Sequence, residues 1–543
     1  MIHLDPYNIS LVASACTALF LVLSALFKKL NSSKLTSTTP LSGPPRKSLF
    51  GVTRQIRVSP NPKAFYEEWF NQYGTIYRIP LPFGTEAVVI SDLKAATHIF
   101  AKDTFTYVRS AGLRLLIERL IGRGLLFVEG DDHRKQRRIL NTAFSSRNIK
   151  NMTPVIYDTA YRLKNEWEKI IDSSPTGLKG EIDLHEWATK LTLDVIGRVA
   201  FGHEFHALQG KYSSVEEALQ MFNTTSPAGF GMLLYAASVF VPWVGMIPTK
   251  RNRLLNNLSD STRRILERLI KEKESSNLIE KPQKGERSLL ELLVDAESSG
   301  SGRPTQESKD EIVAQMKAIL IAGTDPPSLA TVWTLLEIAR NPEVQTRLRQ
   351  EINASPGAEL DWNHLQSSCP LLDAVISEVL RMRPSFGETP RVANEDDILP
   401  LKEPMIDASG KLVDRIHIAK GTKIIIPNHF LNCSPSIWGS DAHEFNPDRW
   451  LDDPVLKADR NPDDITSARL RLWSFGEGPR VCVGRVFALT QLKIVLAILL
   501  RDFMFELADG PGTPIDIHFS LVARPKLRGL KGATLPLLVS RIG

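Results

Sequence analysis

Cysteine is scarce in this chain, with only four among 543 residues. Cys16, Cys369, Cys433 and Cys482 are widely separated, and none of them forms a C-x-x-C pair or a spacing typical of disulfide-rich domains. The pattern excludes a disulfide framework as the basis of the fold. It also indicates that the body of the protein folds in a reducing compartment such as the cytosol.

Long basic blocks and low-complexity tracts are absent as well. The chain has 67 Lys and Arg against 61 Asp and Glu, a net charge of +6 that is not concentrated in one segment, so no nucleic-acid partner is predicted. With 43% hydrophobic residues the chain can bury a large core. Because no Gly/Ser linker divides it after about residue 50, residues 51–543 are predicted to form one large domain.

Charged residues are missing from residues 8–27, a mainly apolar stretch long enough to cross the hydrocarbon layer at about 1.5 Å per residue. Asp5 is the only charged residue before the stretch, and Lys28 and Lys29 follow it directly. The positive-inside rule then places the N-terminus in the lumen and the following chain in the cytoplasm. Residues 1–30 are predicted to be a lumenal tip and a single-pass anchor. A cleaved signal peptide is disfavoured, because there is no basic region before the apolar run.

Two further segments are predicted to serve membrane attachment, one as a hinge and one as a contact with the membrane surface. Residues 31–50 are rich in Ser, Thr and Pro, which favours a stiff hinge between the anchor and the domain. Residues 218–249 contain no charged side chain, but Pro227, Pro242 and Pro248 interrupt any long helix. We expect this second segment to dip into the membrane surface, with ordinary core packing as the alternative.

A glycine-rich loop carrying a single cysteine, residues 475–484, precedes an apolar run from Val486 to Leu500 that is predicted to be a buried helix. Glycines near a thiol let the backbone pass close to a flat ligand and direct amide N–H groups at the sulfur. The nearby helix N-terminus should also lower the thiol pKa. A lone thiolate can serve as the axial ligand of haem iron. The alternative for Cys482 is a buried free cysteine in a glycine turn.

The loop resembles the haem-binding signature of the cytochrome P450 superfamily, F-x-x-G-x-R-x-C-x-G. Its fixed positions are filled by Phe475, Gly478, Arg480, Cys482 and Gly484. Over roughly residues 40–535 the chain resembles fungal-type microsomal members. The resemblance implies haem b with Cys482 as its thiolate ligand, and a mainly α fold with small β-sheets (α+β) preceded by the transmembrane helix. It also implies electrons delivered from NADPH by a separate flavoprotein, the NADPH-cytochrome reductase.

A long helical pattern begins at the capping box Ser308-x-x-Glu311 and runs to about Arg340. Its middle, residues 322–328, resembles the oxygen-activation motif of the family. The family usually has a threonine there that takes part in proton delivery to dioxygen. This chain has Pro326 at that position.

The catalytic candidates on this helix are Asp325, Thr324 and Pro326. Pro326 and Pro327 each remove an N–H from the helix, at a cost of about 3 kcal/mol in an ordinary helix interior. Thr324 and Ser328 cannot simply replace the missing threonine, because two residues along a helix rotate the side chain by about 200°. Asp325 is predicted to hold a proton-bearing water chain. The alternative is a salt-bridged helix carboxylate.

Three charged residues are expected to form a structural triad. Glu378 and Arg381 are spaced to share one helix face, and with Arg449 they resemble the family's E-x-x-R and P-E-R-F-type motifs. Burial of three such charges is tolerable only if they satisfy one another through bidentate hydrogen bonds.

The resemblance also implies cationic partners for the two haem propionates. His133-x-x-x-Arg137 resembles the family's W-x-x-x-R, with histidine in place of tryptophan. The candidates are Arg137, Arg391, Arg480 and His133. The remaining basic residues of the same helix are candidates for docking an acidic reductase: Arg134, Lys135 and Arg138.

These features together favour a membrane-bound monooxygenase of the endoplasmic reticulum with a cytoplasmic catalytic domain. A lipophilic substrate is expected, such as a terpenoid, steroid or polycyclic aromatic, in secondary metabolism or xenobiotic oxidation. Residues 523–526 resemble the family's terminal hairpin, which makes residues 519–522 candidate substrate contacts. One alternative is a haem-thiolate isomerase or dehydratase that needs no oxygen activation, which Pro326 would suit. Another is a haem-binding sensor without turnover.

Overall fold

The computed structural model describes residues 38–59, 61–211, 214–224, 250–276, 288–297, 305–354, 362–452, 472–519 and 522–542. The predicted anchor at residues 8–27 lies outside these ranges, as do most of residues 218–249. Among the described helices, none combines the length and the apolar character that a bilayer crossing requires.

The strands in the described part of the chain are short. They are β1 (Ile76–Pro80), β2 (Glu86–Ile90), β3 (Tyr107–Val108), β4 (Lys179–Asp183), β5 (Thr389–Ala393), β6 (Asp397–Ile406), β7 (Leu412–Ile418), β8 (Lys423–Ile426), β9 (Phe503–Glu506), β10 (Ile515–Phe519), β11 (Ala523–Leu527) and β12 (Pro536–Arg541).

Helices make up most of the remainder. They are α1 (Thr53–Val58), α2 (Pro62–Tyr73), α3 (Leu93–Ala101), α4 (Ala111–Ile121), α5 (Gly130–Ala143), α6 (Ser146–Asp172), α7 (Leu184–Phe201), α8 (Ser214–Thr224), α9 (Lys250–Ser276), α10 (Leu289–Glu297), α11 (Gln306–Arg340), α12 (Pro342–Asn353), α13 (Trp362–Ser367), α14 (Pro370–Met382), α15 (Asn428–Cys433), α16 (Pro435–Trp438), α17 (Arg449–Asp452) and α18 (Arg485–Asp502). The predicted mainly helical fold with small sheets is confirmed.

The chain divides into two compact units. The smaller comprises Met1–Ser110 with Gly387–Leu431, and the larger comprises Ala111–Phe386 with Asn432–Gly543. The smaller unit contains a five-stranded sheet in the order β1-β2-β8-β5-β3, in which only β2 and β8 run parallel, and a two-stranded ladder of β6 and β7. The larger unit contains nearly all of the long helices, the sheet β4-β12-β9 and the hairpin β10-β11.

Helix α11 forms the centre of the larger unit, because its apolar residues face every direction and 23 of its 35 residues are buried. It packs most closely on α7, where a Cβ added to Gly323 would lie 2.7 Å from Ile196 Cδ1. The helix ends at Arg340 as predicted. The predicted start at Ser308 was wrong, because the helix begins at Gln306. The hydroxyl of Thr305 accepts the Ser308 N–H at 3.2 Å and caps the helix.

Candidate active site

The Cys482 loop is shaped by its glycines. Two short 3-10 turns, Trp473–Phe475 and Gly478–Arg480, are joined through Gly476 and Gly478, whose φ angles of 69° and 66° lie in the left-handed region. The Cys482 N–H donates to the Phe475 carbonyl at 2.8 Å. Helix α18 begins three residues after Cys482, at Arg485. The motif residues therefore fix the backbone that carries the sulfur.

The electrostatics of this thiol differ from the prediction. Burial raises the pKa of the Cys482 thiol, while the Gly484 N–H and the guanidinium groups of Arg137 and Arg485 act in the opposite direction. The expected lowering of the thiol pKa is therefore wrong for the protein alone, because burial outweighs the donors. Bonding to a cation such as iron supplies the stabilisation that the thiolate lacks.

The surroundings of Cys482 leave room for a flat group. The cysteine side chain is accessible, although protein surrounds it on nearly every side. A Cβ added to Gly484 would meet only Phe144, at 3.9 Å. Ala322 is also accessible, although the turns of α11 on either side of it are buried. An accessible residue in the middle of a core helix indicates internal space beside it.

The donor set at Cys482 fits haem. Within the described ranges, no group of three or more His, Cys, Asp or Glu residues could hold a metal ion. A single cysteine is the protein ligand that haem-thiolate iron requires.

One of the predicted propionate partners, Arg137, lies close to the cysteine. Arg137 donates to the Val481 carbonyl and, at 2.9 Å, to Asn141 Oδ1. Burial lowers the pKa of the Arg137 guanidinium, and the charge of Arg480 lowers it further. Within the described ranges, the charged groups that affect the pKa of Arg137 are Cys482 and Arg480, and no carboxylate is among them. A desolvated cation with only neutral acceptors suits an incoming carboxylate such as a haem propionate.

Two further candidates, His133 and Arg480, have different surroundings. His133 is buried one helical turn before Arg137 on α5. Arg480 donates to Glu129 and, at 2.7 Å, to the Val128 carbonyl.

Arg391 lies in the smaller unit. Its guanidinium donates through two nitrogens to the buried Asp103 carboxylate, at 3.0 and 2.5 Å. This guanidinium thus already has an anionic partner within its own unit. A role for Arg391 at a propionate stays a prediction.

The structure brings the three triad residues together. Glu378 and Arg381 are completely buried and form two parallel hydrogen bonds of 2.8 Å. Arg449 Nε donates to Glu378 Oε1 at 3.0 Å. Arg381 also donates to the carbonyls of Asn432 and Ala442 at 2.8 and 2.7 Å. The arginine fork therefore holds two separate backbone segments in place.

Sequence reasoning missed several members of this network. Trp450 Nε1 donates to Glu378 Oε2 at 2.8 Å, and both oxygens of Asp441 accept from Arg449. Asn432 accepts the Trp473 N–H at 2.9 Å and donates to the Ser474 hydroxyl at 3.0 Å. Asn432 thus connects the arginine fork to the start of the Cys482 loop. No spacing rule marks it in the sequence, because its partners come from distant segments.

Comparison with known proteins identifies the group of proteins that share these features. A family model described as Cytochrome P450 matches residues 41–531. The chain belongs to the cytochrome P450 family. It is similar to cytochrome P450 monooxygenase claW of Ampulloclitocybe clavipes, with 39% identity over 93% of each chain. Identity is 40% with claO of the same organism, over 93% of this chain and 94% of the relative. Cytochrome P450 monooxygenase 128 of Postia placenta is 34% identical over the same shares.

The protein therefore has the P450 fold and is a haem-thiolate monooxygenase. Its departure from the family's usual pattern lies on α11, where Pro326 and Pro327 stand inside a helix that continues through them. The Thr192 hydroxyl donates to the Thr324 carbonyl at 3.1 Å, and the Thr331 hydroxyl donates to the Pro327 carbonyl at 3.0 Å. The carbonyls that lose N–H donors to the two prolines are those of Ala322 and Gly323, four residues earlier, so these hydroxyl bonds flank the interrupted turn and do not replace the lost donors.

The other catalytic candidates lie at the same turn of this P450. The Thr324 hydroxyl is buried and has no hydrogen-bond partner in the described part of the chain. Asp325 is buried and forms an ion pair with Arg524 of β11. This contact is the salt bridge that the sequence left open as the alternative. A relay role for Asp325 stays a prediction.

Glu477 in the Cys482 loop gives this P450 a testable pH dependence. Burial raises the pKa of its carboxyl from 4.5 to about 7. The unfolded chain keeps the lower value, so ionisation favours unfolding, and stability falls as the pH rises from about 4.5 to about 7. We expect Glu477→Gln to remove this dependence. Relative to the wild type, the free energy of unfolding of the variant should be about 1–2 kcal/mol higher above pH 7 and unchanged near pH 4.5. This figure is reduced for the partial exposure of the side chain.

Melting temperatures of the wild type and the Glu477→Gln variant across this pH range test the expectation. A difference between the two proteins that stays constant with pH would contradict it.

Proposed function

We propose that this P450 is anchored in the endoplasmic reticulum membrane, takes electrons from NADPH through a flavoprotein reductase, and oxidises a lipophilic substrate. The substrate class is a terpenoid, steroid or polycyclic aromatic, in secondary metabolism or in xenobiotic oxidation. The observation that carries the proposal is the accessible Cys482 on its glycine loop, because a haem-thiolate centre is the site of oxygen insertion in this family.

Membrane attachment is supported by the apolar residues 8–27 and 218–249. An enzyme on the membrane surface meets substrates that dissolve in the bilayer. Reductase docking is supported by α5, whose Arg134, Lys135 and Arg138 are exposed while its opposite face is buried. A basic surface beside the electron-accepting site suits an acidic redox partner.

The residues of the chain have distinct tasks in the proposed reaction. Bound haem with a thiolate ligand supplies oxygen chemistry that includes cleavage of the O–O bond. Cys482 provides the thiolate, Arg137 binds a propionate, and the Glu378 network holds the loop. At the central turn of α11, position 326 carries no hydroxyl, so water or a hydroxyl of the substrate supplies the proton that the family's threonine usually helps to deliver.

The experiment that tests this function measures product mass under heavy-isotope oxygen gas. The full-length protein, reconstituted with a reductase and NADPH, is incubated with a panel of terpenoids, steroids and polycyclic aromatics. One heavy oxygen atom in the product is expected. Product that forms without label and without NADPH would replace the proposal by a haem-thiolate isomerase or dehydratase. Ligand-induced spectral change without any product across the panel would favour a haem-binding sensor.

Pro326→Thr tests the proton supply at the central turn of α11. The substitution adds a hydroxyl at the family's usual position and restores an N–H to the helix. We expect a smaller fraction of NADPH electrons to be released as hydrogen peroxide, by about twofold or more, since positioned proton donors contribute about 100-fold or more to rates. NADPH consumption, peroxide and product are quantified together.

Pro326→Ala is the matched control for Pro326→Thr, because it restores the N–H without a hydroxyl. An equal effect of both substitutions would assign the change to the backbone. An unchanged peroxide fraction in the threonine variant would show that proton delivery does not depend on this position.

A further inference from the structure

The hairpin formed by β10 and β11, called here the terminal hairpin (residues 515–527), carries an arginine into the protein core. Arg524 is completely buried, and its guanidinium donates to Asp325 on α11. Asp325 is itself buried. The two residues are 199 positions apart in the sequence, so the contact exists only in the folded chain. A buried charge pair of this kind is costly to break, because removing one partner leaves the charge of the other in surroundings of low polarity.

A second buried contact lies one residue further along the hairpin. His185 of α7 lies 2.7 Å, through its Nε2, from the Pro525 carbonyl. Burial lowers the pKa of His185 to about 4, so the imidazole is neutral near pH 7 and its Nε2–H donates to the carbonyl. Two consecutive residues of β11 are thus bound to two helices. Those helices are bound to each other by the hydrogen bond from Thr192 to the Thr324 carbonyl.

The terminal hairpin depends on such contacts for its position. Its two strands pair only with each other within the described part of the chain. A two-stranded ladder is marginally stable by itself. Phe519 pairs with Ala523 at the turn end of the ladder, and Arg524 is the next residue. The Arg524 contact therefore acts at the turn end of the terminal hairpin.

The partner of Arg524 stands at the central turn of α11. Asp325 directly precedes Pro326 and follows the accessible Ala322 by three residues, less than one helical turn. The ion pair therefore brings the turn end of the hairpin, with the half-buried Phe519, to the part of α11 that borders the internal space.

We propose that Arg524 is a positioning residue: by pairing with Asp325 it holds the turn end of the terminal hairpin beside the central turn of α11, and this placement determines which carbon of the substrate is oxidised. The effect on product identity rests on the function proposed above. The effect on the position of the hairpin is independent of that function, since it concerns a contact within the protein.

The test compares Arg524→Met with Arg528→Met. Arg528 directly follows the terminal hairpin and forms an ion pair with Asp516 of β10 at 3.1 Å, but it is 65% exposed. Hydrogen exchange of peptides covering residues 515–527 is measured by mass spectrometry on the full-length protein, together with the product ratio. In Arg524→Met, exchange of the hairpin amides should accelerate by about tenfold or more, because a buried hydrogen bond between charged groups is lost. The product ratio should shift, whereas Arg528→Met leaves both unchanged.

Two further variants separate positioning from general destabilisation. Arg524→Lys keeps the charge without the planar fork and should retain most of the wild-type product ratio. If Arg524→Met does not fold, the double variant Asp325→Leu with Arg524→Met removes both buried charges and is measured instead.

Faster exchange in the hairpin without a change in product ratio would overturn the specificity role. Unchanged exchange in folded Arg524→Met would overturn the positioning role as well. If no substrate gives product at all, the exchange measurement still tests the positioning role separately from the proposed function.

Discussion

We expect Cys482→Ser to abolish the thiolate-type absorption of the reduced carbon monoxide complex. Turnover should fall by at least about 100-fold, since residues that only orient a metal ligand already contribute about 10- to 100-fold. The physical reason is the electron density that a thiolate donates to haem iron, which a serine hydroxyl does not supply. The measurement is the difference spectrum of the reduced protein with carbon monoxide, at matched haem content.

Cys369→Ser is the control for this substitution. Cys369 is buried, and burial raises the pKa of its thiol to about 11, so it stays protonated near pH 7. The variant should keep the thiolate-type spectrum. Retention of that spectrum in Cys482→Ser would overturn the assignment of Cys482 as the iron ligand.

Arg381→Ala is expected to produce the second large effect. The substitution leaves the Glu378 carboxylate buried with part of its charge uncompensated, and it removes the donors to the Asn432 and Ala442 carbonyls. Breaking a buried pair of this kind costs about 3–5 kcal/mol. Because Asn432 also binds the start of the Cys482 loop, we expect loss of haem together with loss of stability. Thermal unfolding and haem content per protein are the measurements.

Lys169→Ala tests whether spacing or burial causes this effect. Lys169 pairs with Glu166 at the same three-residue spacing and at 2.8 Å, but the lysine is 70% exposed. Removing an exposed pair costs less than about 1 kcal/mol. If Arg381→Ala were as mild as this control, the arginine fork would not hold the loop.

Part of the active site was predictable because its members are close together in the sequence. Phe475, Gly478 and Cys482 lie within eight positions, and a tight loop requires glycine where φ is positive. The i, i+3 spacing of Glu378 and Arg381 likewise predicts a shared helix face. Local geometry is sufficient to derive such features from the residues.

The errors have a physical cause as well. Helix α11 begins at Gln306 because the Thr305 hydroxyl, and not that of Ser308, caps it. Both residues are good caps, so local preference does not distinguish them. The pKa of Cys482 is raised by burial, a quantity that depends on the whole fold.

The amino-acid sequence by itself determined the haem-thiolate loop and the proline pair that sets this P450 apart, since each depends on residue types at short spacing. The mainly helical fold was implied by the resemblance of these motifs to the family. Only the tertiary structure decided that Asn432 binds the Cys482 loop, that Arg391 pairs with Asp103 and that Arg524 pairs with Asp325. These contacts join segments tens to hundreds of residues apart. A buried charge takes whichever partner the packed core brings within hydrogen-bonding distance, and no local pattern specifies that partner.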